Sequence, residues 1–119
     1  MKIPASILKR LYVKNSLTNL DDGFSFKIKN SLSNGTATSM SPVTVDGTEY
    51  ALDKIVIRSQ DGEVNANDVS ESNAFIIKVG VEVEIHVKAD PLPDGAHTIG
   101  IGLQTKEIGG IAFEVDDEI

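Results

Sequence analysis

Two histidines, His86 and His97, are the residues of this 119-residue chain best suited to proton transfer near neutral pH. Either could serve as a general base, and two imidazoles with a carboxylate form a transition-metal donor set. Carboxylates are at hand. Glu82, Glu84 and His86 are spaced i, i+2, i+4 and so share one face of a strand, and Asp94 stands three residues before His97. The same spacing describes a solvated strand face beside Lys88, and nothing in the order of residues brings His86 and His97 together. The expectation is no catalytic set, no cofactor and no metal, with His86, His97 and Glu84 the residues to inspect for a metal. His97 opens an apolar row just past a turn. It reads as a partly buried corner residue that donates to a backbone carbonyl.

Other chemistry is absent or incomplete in the sequence. No serine stands in a Gly-x-Ser-x-Gly setting. Gly100-Ile101-Gly102 lacks the third glycine of a nucleotide loop, because Thr105 holds that place. These two glycines interrupt a β alternation and mark a strand that something crosses closely. The run from Asp61 to Asn67 starts like a calcium loop, but Ala66 and Ser72 occupy the places that need Gly and Glu. Asp21-Asp22 and Asp116-Asp117-Glu118 read as solvated acids at a turn and a tail.

Composition narrows the classes further. The absence of cysteine excludes a disulfide scaffold, a Cys-ligated zinc and a thiol nucleophile. Eleven basic residues against eighteen acidic ones, a net charge of −7, disfavour nucleic acid and an anionic membrane as partners. Aromatic residues are few and Trp is absent, which disfavours a sugar-stacking platform. Lys2, Lys9, Arg10 and Lys14 break every apolar run at the N-terminus, and no stretch is long enough to span a bilayer. The expected location is the cytoplasm.

The elements that must position these residues are short strands. Phe24 to Lys29 alternates with Phe24, Phe26 and Ile28 inward and Ser25, Lys27 and Lys29 outward. Val81, Val83, Ile85 and Val87 form a second inward row, and His97, Ile99, Ile101 and Leu103 a third. Asp22-Gly23, Asp46-Gly47 and Asp61-Gly62 are hairpin signals. Pro91 to Gly95 is a rigid turn, and its prolines keep it out of a central strand. Ahead of the strands, Pro4 to Leu11 reads as a short helix, with Pro4 at its first position. The expected fold is all-β: one antiparallel, immunoglobulin-like or Greek-key sandwich over residues 1–119. It has a helix at 4–11, eight or nine short strands over 12–115 and a frayed acidic tail at 116–119.

Interaction is the remaining function class. A two-turn helix cannot stand alone, so Ile7, Leu8 and Leu11 must dock on the chain's own sheet or on a neighbour. Phe75-Ile76-Ile77 is continuously apolar, so both of its faces require cover. Ile7, Leu8, Leu11, Phe75 and Ile77 are therefore the expected contact residues for a partner subunit or a second copy.

The order of signals also resembles a known family. Ser16-Leu17, Gly23-Phe24-x-Phe26-Lys27-Ile28, Val45-Asp46-Gly47, Gly80-x-x-Val83-x-Ile85-x-Val87 and Pro91-Leu92-x-x-Gly95-x-His97-x-Ile99 are similar to the small β-subunits of bacterial C-glycoside deglycosidases and their short prokaryotic relatives. The resemblance covers about residues 12 to 117 and is carried by turn and core positions. It implies a β-sandwich accessory chain, partner to a larger TIM-barrel subunit that holds the metal and the base. Some short relatives carry the label hydroxymethylglutaryl-CoA reductase. For that activity this sequence has no nucleotide fingerprint and too little chain to hold two substrates. The alternative expectation is a stand-alone, self-associating domain that binds a small ligand or metal.

Overall fold

The computed structural model describes residues 5–32, 34–60 and 62–119. Pro4, the expected first helical position, and Asp61, the expected start of the third hairpin turn, lie outside them. A single turn of helix, α1 (Ala5–Leu8), tightens into a 3₁₀ turn over Lys9–Leu11. Among the described residues eleven strands follow: β1 (Thr18–Leu20), β2 (Gly23–Lys29), β3 (Gly35–Met40), β4 (Val43–Val45), β5 (Thr48–Tyr50), β6 (Ile55–Ser59), β7 (Gly62–Asn65), β8 (Phe75–Ile77), β9 (Glu82–Lys88), β10 (Ala96–Thr105) and β11 (Gly109–Glu118). The expectation of eight or nine falls short. β3 turns only Ala37 and Met40 toward the core, and β7 is half-exposed along its length, so neither carries a strong apolar row.

The strands form two antiparallel sheets. One has the order β1-β2-β9-β6-β7; the other runs β5-β4-β10-β3-β8, with β11 paired along the second edge of β10. β9 inserts between β2 and β6, partners distant in sequence, as Greek-key connections require. All-β sandwich architecture is thus what the periodicity predicts. The inward rows meet as a core in which Phe24, Phe26, Ile85 and Val87 of one sheet oppose Val43 and Ile99 of the other, each less than 3 % exposed. Phe24 meets the ring of Tyr50 edge-on with centroids 5.3 Å apart, and Tyr12 tilts against Phe26 at 5.9 Å.

Turn chemistry is visible at two sites. Asp46 (φ 53°) and Gly47 (φ 87°) both adopt positive φ and close a two-residue loop between β4 and β5, the type I′ geometry that suits strand twist. Gly23 starts β2 with its backbone pressed on β9, where a Cβ would overlap the Val87 carbonyl oxygen.

Two expectations are overturned. The tail is not frayed: β11 pairs with β10 as far as Glu118, and Asp117 is 5 % exposed. The inward alternation of Phe113 and Val115 simply continues to Asp117, where a carboxylate takes the place of an aliphatic side chain. Ser25 is not in water either. It lies between β1 and β9 in a central part of its sheet, opposite His86, and is buried.

Candidate functional site

His97 begins β10, directly after the Pro91–Gly95 turn. Its Nδ1 lies 2.6 Å from Asp46 Oδ2 and its Nε2 2.7 Å from the Pro93 carbonyl oxygen. Both partners only accept, so the ring satisfies them as an imidazolium with two N–H donors. The hydrogen bond that His97 donates to Asp46, then that to Pro93, raises the His97 pKa above 6.5. The same bond, with the Thr98 amide that donates to Asp46 Oδ1 at 2.9 Å, holds the Asp46 carboxyl below its ordinary value. The arrangement ties the β4–β5 turn to the start of β10 and pins the proline turn. With both nitrogens engaged, His97 clamps the two turns together. The corner role expected from its position holds, and its acceptor is the Pro93 carbonyl.

His86 sits on the outer face of β9, in the other sheet, and is nonetheless buried. Ser25 and Val56 flank it on β2 and β6. Nε2 lies 2.9 Å from Asp22 Oδ1, while Nδ1 is buried without a hydrogen-bond partner among the described residues. Glu84, two residues earlier on that face, faces Arg58 Nη1 at 3.3 Å, and Arg58 also pairs with Glu63 at 2.9 Å. His86, His97 and Glu84 are therefore divided between two sheets, and each has its own partners. Among the described residues no group of three His, Cys, Asp or Glu side chains converges on one point.

A further polar site escaped the sequence reading. Asp117 Oδ2 accepts the Tyr12 hydroxyl at 2.6 Å and the Leu17 amide at 3.1 Å, and Oδ1 accepts the Glu118 amide at 2.8 Å. Burial pushes the Asp117 carboxyl up, but the Tyr12 hydroxyl and the backbone amides outweigh it, and the net pKa is lowered. Burial and the neighbouring carboxylate raise the Tyr12 pKa well above its usual 10.0. This pair joins the start of the chain to its last strand. The signal that could have revealed it is parity: residues 113, 115, 117 and 119 fall on one strand face.

The expected contact residues divide. Leu8 is in the core, and Leu11, Phe75 and Ile77 pack against it; Ile7 is half-buried. The helix thus docks on its own sheet, beside β11. What faces solvent is the residue between Phe75 and Ile77: Ile76 is 62 % exposed, on β8 at the edge of its sheet. Val79 N donates to Asn34 Oδ1 at 2.9 Å and Gly80 N to the Asn30 carbonyl at 2.7 Å, so exposed Leu32 and Val79 stand on the same flank. Between the edges of β7 and β8 runs a groove of about 290 Å³, lined by Glu63, Val64, Phe75 and Ile76 among others.

No helix among the described residues is long and apolar enough to cross a membrane. A search of the curated proteins found no match. A family model matches residues 7–119, nearly the whole chain. The chain belongs to the family described as hydroxymethylglutaryl-CoA reductase, N-terminal domain.

Proposed function

We propose that this chain is a non-catalytic interaction subunit that completes a larger partner. The observation that carries the reading is the edge of β8, unpaired among the described residues, with Ile76 exposed at its centre. An edge strand offers free N–H and C=O groups to an added strand, and exposed aliphatic side chains supply its apolar anchor. The groove toward β7, which Ile76 lines, adds a concave flank. The ionisable groups support the same reading. His97, Asp46, Tyr12 and Asp117 are engaged in hydrogen bonds that hold the fold.

The partner class comes from the resemblance to the small subunits of C-glycoside deglycosidases: a larger TIM-barrel chain that is sugar-active and brings its own metal and base.

The test is affinity capture of the tagged chain from its native lysate, with mass spectrometry of what co-elutes. The expected result is one stoichiometric partner of TIM-barrel size. Ile76→Glu should release it while stability changes by less than about 0.5 kcal/mol, as for an exposed position. Recovery of the wild-type chain alone refutes the reading, and light scattering then distinguishes a self-associated form from a monomer.

A further inference from the structure

Asn34 is exposed and stands directly before Gly35, whereas every other asparagine of the chain is followed by a residue with a side chain. The main-chain nitrogen after an asparagine can attack the carboxamide carbon, Cγ, and close a succinimide ring. A Cβ on the residue that supplies the nitrogen hinders that approach, and glycine has none. The space around Gly35 is open as well: a Cβ built there meets nothing within 4 Å.

The carboxamide is held in a way that favours the attack. Asn34 Oδ1 accepts the Val79 amide at 2.9 Å. A backbone N–H on that oxygen draws charge from Cγ and stabilises the oxyanion that forms when the ring closes. The nitrogen is the guarded partner, because Gly35 opens β3 opposite Ile77 of β8. β8 has three residues and lies at the edge of its sheet, so this first pair opens at small cost.

We propose that Asn34 is a site of spontaneous covalent modification, converted through a succinimide to aspartate and isoaspartate. The Gly35 nitrogen gives its proton to hydroxide and forms the bond to Cγ, and the carboxamide nitrogen leaves as ammonia. Water then opens the ring. Where it breaks the new bond, the product is aspartate; where it breaks the original peptide bond, the product is isoaspartate, whose main chain runs through Cβ and Cγ. The aspartate still accepts from Val79. The isoaspartate lengthens the main chain ahead of Gly35 and gives up that contact, and with it the tie between Asn34 and the end of β8. The site lies beside the β8 edge and does not depend on the interaction reading.

The test ages the full chain in warm, mildly alkaline buffer, with and without denaturing urea. Peptide mass spectrometry maps the products, and an isoaspartate methyltransferase marks the isomer. The folded chain should gain a carboxylate at Asn34 ahead of every other asparagine, in both isomeric forms. Gly35→Ala should slow the conversion at least several-fold and melt no lower, because its Cβ meets nothing and Gly35 takes no positive φ. Hydrogen exchange at the Val79 amide should quicken in the purified isoaspartate form and stay unchanged in the aspartate form. Conversion at another asparagine first, or at Asn34 only in urea, overturns the site. An undiminished rate in Gly35→Ala overturns ring closure as the route, and unchanged Val79 exchange in the isoaspartate form overturns the effect on β8.

Discussion

Tyr12→Phe removes one oxygen atom and leaves the ring that packs on Phe26. The lost contact is short, 2.6 Å, and its acceptor is a buried carboxylate that spans 105 positions of sequence. Hydrogen bonds to charged groups contribute about 1.5–3 kcal/mol, so a loss of about 2 kcal/mol is expected. Unfolding entropy of about 2.1 cal/mol/K per residue converts this to a fall of about 8 °C in melting temperature for a chain of this length. The urea m-value should not change, because the surface exposed on unfolding is the same. The pH dependence follows from both partners. Asp117 has a lowered folded pKa, so its contribution is present above the ordinary carboxylate value and is lost as pH falls through the lowered one. Tyr12 has a raised folded pKa, so its contribution is present below pH 10.0 and is lost as pH rises through the raised value. The stability gap between wild type and Tyr12→Phe should therefore be widest between these limits and narrow at both extremes. Circular dichroism of urea unfolding across pH measures it. A gap below about 0.5 kcal/mol at pH 7, or one unaltered into strong acid, would refute the reasoning.

The His97 clamp makes a prediction of opposite sign. Its folded pKa is raised, so its contribution is complete below pH 6.5 and is lost as pH rises through the folded value. Asp46→Asn should lower the midpoint of the His97 imidazole titration by NMR; an unmoved midpoint would show that Asp46 does not set it. Gly23→Ala must move β2 off β9, since a Cβ would overlap the Val87 carbonyl, and should cost more than about 2 kcal/mol by chemical denaturation. A cost like that of an exposed position would mean that the strands separate there without strain.

Period-two alternation made much of the fold legible. Phe24 to Lys29, Val81 to Val87 and Ile99 to Leu103 each carry an apolar row, and each row lies in or against the core. Asp46-Gly47 was legible because only certain residues tolerate two successive positive φ values. What alternation cannot convey is which element stands opposite. Asp117 reads as a solvated acid until Tyr12 and the Leu17 amide, about a hundred residues away in sequence, are brought to it. His86 reads as an outward polar residue, and its burial depends on the neighbours that two other strands supply. The strands gave their faces, and only the pairing gave the contacts.

Gly100 and Gly102 show how a chemical reading and a packing reading separate. In the sequence they invite comparison with a phosphate loop, a reading that requires a following helix and a third glycine. In the fold they lie inside β10. Gly100 pairs with Thr44 of β4, and a Cβ there would overlap the Thr44 hydroxyl; at Gly102 the Ser41 side chain would stand 3.2 Å from a Cβ. The missing side chains make room for Thr44 of β4 and for Ser41 in the β3–β4 link, and Ser41 N completes the contact by donating to the Gly102 carbonyl at 2.9 Å. The two glycines thus answer a steric demand between strands, which needs no third glycine and no helix. The same argument bears on Ala37. A small residue in a strand either admits a neighbour or leaves a gap. At Gly100 the Thr44 side chain fills the space, whereas at Ala37 an apolar cavity of about 80 Å³, also walled by Ile28, Ile77 and Leu103, lies against the methyl.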